Sequence, residues 1–195
     1  MSDRRYSALI VSSGEKFTSA LMGVLEEENC YPVVTLKNVA AGRRELLERE
    51  YDIILVNAPL PDEMGANFAI DVTRESNSGV ILFVPSELYD EISDKASDYG
   101  VLTVAKPTNK TVVKQTLKLV LATHRKVASM EKKVHSFEEK IEEIKVINRA
   151  KLLLMENEYY DEPMAHRYIE KTAMDTRKSK LKVAKEIIEQ YQGKE

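Results

Sequence analysis

Between Lys110 and Pro163 the chain runs for 52 residues without a glycine or a proline. Those are the two residues that most readily break a helix, so one unbroken helix can occupy most of this stretch. Its apolar pattern agrees. Val113, Val120, Val127, Val134, Ile141 and Asn148 fall every seven residues, as the a position of a heptad does. The companion row changes along the way. Leu117 and His124 follow their a residues by four, whereas Met130, Phe137 and Ile144 follow theirs by three. The first part is therefore expected to pack on a sheet, and the part from about Val127 has the a/d pattern of a coiled coil. So few heptads are marginal alone in water, so a dimer built on this seam needs help from the flanking units. Asn148 either fixes the register of the seam or faces the core of the bundle beyond it. His124 is read as a packing residue, because no second His or Cys stands at ligand spacing. His135, off the seam, is expected in solvent.

Ahead of this helix, short apolar runs alternate with helical periodicity. Residues 7–12 (SALIVS), 33–36, 52–57 (DIILVN), 79–84 (GVILFV) and 101–105 read as strands, and residues 17–28, 40–49, 64–75 and 87–99 as helices. Near-continuous apolar strands separated by helices predict a parallel sheet covered on both faces. Five such units fit an α/β, flavodoxin-like doubly wound domain.

Hydrophobic residues are 43% of the chain and charged residues 31%, the balance of a folded chain rather than a disordered one. No apolar run reaches membrane-span length, and the polar start at residues 1–5 does not resemble a secretion signal. A single cysteine, Cys30, allows no internal disulfide and fits a reducing cytoplasm; it reads as a packing residue at a strand edge. The net charge of −3 conceals an asymmetry. Residues 1–109 hold 10 Lys+Arg against 18 Asp+Glu, residues 110–147 hold 9 against 5, and residues 148–195 hold 10 against 9. Five cations and no anion lie between Arg177 and Lys185. Any polyanion is expected at the basic back half, although a bunch of cations is also what a solvated helix face looks like.

That back half reads as three short helices forming a small bundle. Ile147, Ala150, Leu153 and Leu154 close the long helix. A break comes at Tyr159-Tyr160-Asp161, where Asp161 can cap the next helix and Pro163 can sit in its first turn. Ala165, Tyr168, Ile169, Thr172 and Ala173 mark the inner side of the second helix, and Leu181, Ala184, Ile188 and Tyr191 that of the third. Arg149-Ala150-Lys151 with Leu154-Met155-Glu156, then Ala165, Ala173-Met174-Asp175 and Val183-Ala184, resembles the ANTAR domain, from Glu138 to Ile188. Two positions depart from that family: His166 stands where an aromatic is common, and Leu152 where glycine is frequent.

A second resemblance covers residues 5–122. Lys106-Pro107 after the fifth strand, and Asn57, Pro61 and Gly65 after the third, keep the spacing of response-regulator receiver domains. The chemistry of that family does not carry over. Its metal-binding acids correspond to Ser12 and Ser13, its phosphoacceptor aspartate to Asn57, its hydroxyl residue to Val84 and its aromatic switch to Thr103, so Lys106 alone survives. Mg²⁺ wants anionic oxygens, and Ser-Ser-Asn offers none. A structural role, or contact with some other anion, is what remains for Lys106.

These readings predict a pseudo-receiver at residues 1–122, a coiled-coil helix at 123–147 and an ANTAR bundle at 138–195. No catalytic constellation, cofactor motif or metal-ligand pair stands out, so the chain is not expected to be an enzyme. The ANTAR resemblance implies an RNA-binding antitermination regulator that grips RNA hairpins by their loops, a homodimer holding two bundles. Arg149, Lys151, His166, Arg167, Tyr168, Lys171, Arg177, Lys178 and Lys180 are the expected RNA contacts; Ala150, Met155, Ala173 and Met174 are expected in the core. The competing reading is an adaptor, in which the receiver and coiled coil bind a regulatory protein partner and the bundle is a cap.

Overall fold

A computed structural model describes residues 5–192; the polar lead-in at residues 1–4 lies outside them. The chain divides into two compact units, Met1–Ala128 and Ser129–Glu195. In the first, strands β1 (Tyr6–Val11), β2 (Cys30–Leu36), β3 (Ile53–Asn57), β4 (Gly79–Pro85) and β5 (Leu102–Lys106) alternate with helices α1 (Glu15–Glu27), α2 (Val39–Glu48), α3 (Ala66–Glu75), α4 (Tyr89–Ser97) and the start of α5 (Lys110–Glu158). Every pairing is parallel, in the order β2-β1-β3-β4-β5, the doubly wound order of flavodoxin-like folds.

Period-two alternation sorts the strand residues into two layers. Ala8, Ile10, Ile53, Leu55, Ile81 and Phe83 pack with Leu21, Val24 and Leu25 of α1 and with Val113, Leu117 and Val120 of α5. Their neighbours Leu9, Val11, Ile54, Val56, Leu82 and Val84 pack with Val39 of α2, Phe68 and Val72 of α3 and Ala96 of α4. Both faces are covered, which is why the strands read as continuous apolar runs. Strand β2 begins three residues before the predicted start, at Cys30. Pro32 argues against a strand, but β2 is an edge strand, where a missing N–H is tolerated. Cys30 is buried, and burial pushes its thiol up to about 11.

The root of α5 is tightly fitted. A Cβ on Gly79, at the start of β4, would lie 2.1 Å from Val120 Cγ1, so only glycine lets the helix come this close. The His124 ring stands between two acceptors, with Nε2 3.0 Å from Asp52 Oδ1 and Nδ1 3.2 Å from the Asn77 carbonyl oxygen. The Asp52 carboxylate also accepts from the backbone N–H and the hydroxyl of Ser7. His124 is thus a packing residue held by hydrogen bonds. Beyond it the heptad row turns to solvent: Val127, Met130, Val134, Phe137, Ile141 and Ile144 are all exposed, the least of them 39%.

In the second unit the end of α5 packs with α6 (Glu162–Thr176) and α7 (Lys180–Gln192) around Ala150, Leu154, Ala165, Ile169, Ala173, Val183, Ala184 and Ile187. Small side chains at the contact let helix axes approach closely. Tyr159 takes a left-handed φ of 56° at the break. Asp161 Oδ1 accepts from the Met164 N–H at 2.8 Å, and Pro163 sits in the first turn, as predicted. Asn148 is exposed, so the alternative that placed it in the bundle core is excluded. Two further expectations are corrected. Met174 is 79% exposed rather than core; adjacent helical residues diverge by about 100°, and the row Ala165, Ile169, Ala173 takes the inside. Tyr168, read on the inner side of α6, is 42% exposed and outside the core. In α7 the expected Ala184, Ile188 and Tyr191 do pack in the core, joined by Val183 and Ile187. The buried stripe of α7 is wider than a single row. Among the described residues no helix is long and apolar enough to cross a membrane.

Candidate functional site

Two places carry the polar residues of interest. The first lies at the C-terminal ends of β1, β3 and β5. Asn57, 8% exposed at the end of β3, donates from Nδ2 to Ser12 Oγ at 3.0 Å and accepts at Oδ1 from Lys106 Nζ at 2.6 Å. The same ammonium donates to the carbonyl oxygen of Ala58 and lies 5.7 Å from the Phe17 ring centroid. Burial lowers the pKa of Lys106. Lys106 thus meets two neutral acceptors, the Asn57 amide oxygen and the Ala58 carbonyl. Ser13 is exposed, Val84 is fully buried, and the buried Thr103 Oγ1 has no hydrogen-bond partner among the described residues. The nearby acid of the β3–α3 loop, Asp62, caps α2 by accepting from the Val39 and Ala40 N–H groups at 3.0 and 2.9 Å. The Ala40 N–H, then that of Val39, holds its carboxyl below the usual range. A recess of about 330 Å³ adjoins the site, where the hydroxyls of Ser12, Ser13, Thr18 and Thr35 stand beside Glu15 and Lys37.

The second place is the surface of the terminal bundle, where eight of the nine expected contact residues fall into two sets. One set is engaged within the bundle. Lys151 Nζ meets Glu162 at 2.6 Å with its side chain only 15% exposed, Lys178 meets Glu186 at 2.7 Å, and Lys180 and His166 both meet Glu170, at 2.5 and 3.3 Å. Lys151 holds the Glu162 carboxyl below its usual range, and Lys180 does the same for Glu170. The Lys151 and Lys180 pairs join α5 to α6 and α6 to α7, over sequence separations that no local periodicity reveals; only His166–Glu170, at i, i+4, was legible beforehand. In the other set, Arg149, Arg167, Lys171 and Arg177 are exposed and form no ion pair among the described residues. Tyr168, 42% exposed, leans on Tyr160 with ring centroids 5.8 Å apart.

Residues 135–188 match the ANTAR domain. The first unit is similar to solved receiver domains. The beryllofluoride-activated NtrC4 receiver domain dimer aligns at 25% identity and TM-score 0.55, covering 60% of this chain and 98% of that one. The signal receiver domain of an HD domain-containing protein from Pseudomonas fluorescens Pf-5 aligns at 20% and 0.57, covering 66% and 96%. The chain joins a receiver fold to an ANTAR domain. A curated relative spans both parts: the transcriptional regulatory protein PdtaR of Mycobacterium tuberculosis is 24% identical over 171 residues, 87% of this chain and 82% of its own length. The Asn57 site lies within the unit that is similar to receiver domains. Arg149, Arg167, Lys171 and Arg177 all fall within the residues matched to the ANTAR domain.

Proposed function

We propose that this protein is an RNA-binding transcription antitermination regulator that acts as a homodimer on RNA hairpins, with a receiver that phosphorylation does not switch. The observation that carries the reading is the ANTAR match at residues 135–188, on whose surface Arg149, Arg167, Lys171 and Arg177 stay outside every ion pair among the described residues. Unstacked loop bases present their edges and faces to side chains, while Lys and Arg neutralise backbone. The homodimer rests on the exposed row from Val127 to Ile144, which a second copy covers in a coiled coil. The silent receiver rests on Asn57, an amide that forms no acyl phosphate, and on Ser12 and Ser13, which bring no anionic oxygen to Mg²⁺.

The test is a competition titration of the purified protein with loop-randomised hairpins and with duplex DNA of equal charge. Hairpins should compete better, in a loop-dependent way, because phosphate contacts alone do not distinguish the two polymers. Equal competition by duplex DNA, with no effect of loop sequence, would reject RNA recognition and favour the adaptor, in which α5 and the receiver engage a protein partner.

A further inference from the structure

The outward side of α6 has a composition that packing does not explain. Met164, Arg167, Tyr168, Lys171 and Met174 recur at i, i+3, i+4, i+7 and i+10, opposite the buried Ala165, Ile169 and Ala173. Met164 is 53% exposed and Met174 79%. Exposed methionines at two ends of one helix face leave soft, polarizable apolar surface in water. Between them stand Arg167 and Lys171, neither in an ion pair among the described residues, although His166 and Glu170 on the flank of the same helix are engaged. Asp175 is the acid at the edge of this face, four residues after Lys171.

We infer that this face of α6 is a base-stacking clamp: Met164, Tyr168 and Met174 receive unpaired loop bases of an RNA hairpin, and Arg167 and Lys171 hold the adjoining phosphates. The inference rests on the RNA reading above and adds which surface reads the loop. Charge complementarity singles out the occupant. Two cations that form no ion pair among the described residues, set among apolar groups, match a strand that alternates phosphate with flat aromatic bases. A duplex offers the same phosphates but keeps its base faces stacked. The thioethers and the Tyr168 ring suit an aromatic face of any base, so the clamp contributes affinity for single-stranded loops more than choice among sequences.

The experiment measures binding of the full chain to two RNAs. One is the hairpin most enriched from a pool with a fixed stem and randomised loop; the other has the same stem closed by an abasic loop. Met164→Ala and Met174→Ala should each weaken the first by about tenfold and leave the second and the salt dependence unchanged. Lys171→Ala should weaken both and make the salt slope shallower by about one. The substituted side chains are exposed, so circular dichroism should report unaltered folding. Methionine variants that bind the intact loop like the unaltered protein, or that lose the abasic hairpin equally, overturn the clamp while RNA recognition stands. An unaltered protein that does not prefer hairpins to duplex DNA overturns both.

Discussion

At φ 54° and ψ 35°, Arg177 holds the left-handed conformation that closes α6, its N–H reaching the Met174 carbonyl at 3.3 Å while the Lys178 N–H reaches that of Ala173 at 3.0 Å. Glycine occupies this C-terminal position without strain, whereas a residue with a Cβ is disfavoured by about 1 kcal/mol. Arg177→Gly should therefore stabilise the bundle by up to about 1 kcal/mol in urea unfolding, yet weaken hairpin binding and reduce its salt dependence if the guanidinium meets phosphate. Stabilisation without any change in binding would remove Arg177 from the interface. Lys151 presents the opposite case. It belongs to the motif that resembles ANTAR domains, but its ammonium is engaged by Glu162. Its truncation should loosen the α5–α6 junction as well as alter any contact with RNA, so loss of binding by Lys151→Ala has to be read against unfolding data.

Helix α5 shows how one periodic row can serve two partners. Val113, Leu117 and Val120 are buried against the sheet, and from Val127 the row is exposed. The switch coincides with the change of companion spacing from four to three that is visible in the sequence. Replacing Val134 and Ile141 together with lysine should set like charges across the proposed seam and yield a monomer whose receiver unit still unfolds cooperatively. Light scattering of the unaltered protein at about 10 µM, well above a micromolar dissociation constant, checks the premise; a monomer there contradicts it.

For the whole molecule, the proposed silence of the receiver turns on the ends of three strands. Ser12, Asn57, Lys106 and the Ala58 carbonyl form a hydrogen-bonded chain across the ends of β1, β3 and β5. Lys106 finds in neutral oxygens what a carboxylate cluster would otherwise supply. Incubation with acetyl phosphate and Mg²⁺ should add no phosphoryl mass, and Asn57→Asp alone should not restore it, because Ser12 and Ser13 still bring no charge to a metal. A hydroxylamine-labile phosphate within residues 50–65 of the unaltered protein would contradict this. The sequence by itself determined the alternation of five parallel strands with helices, the long helix and its apolar row, and the Asn57 and Lys106 positions, because periodicity and loop spacing are local properties of a chain. Tertiary structure alone decided that Pro32 lies within an edge strand, that Met174 faces water, and that Lys151, Lys178 and Lys180 are paired while Arg149, Arg167, Lys171 and Arg177 form no ion pair among the described residues. Those outcomes depend on which helix face meets which neighbour, and a carboxylate ten or eleven residues away becomes a partner only when the helices carrying the two groups pack together.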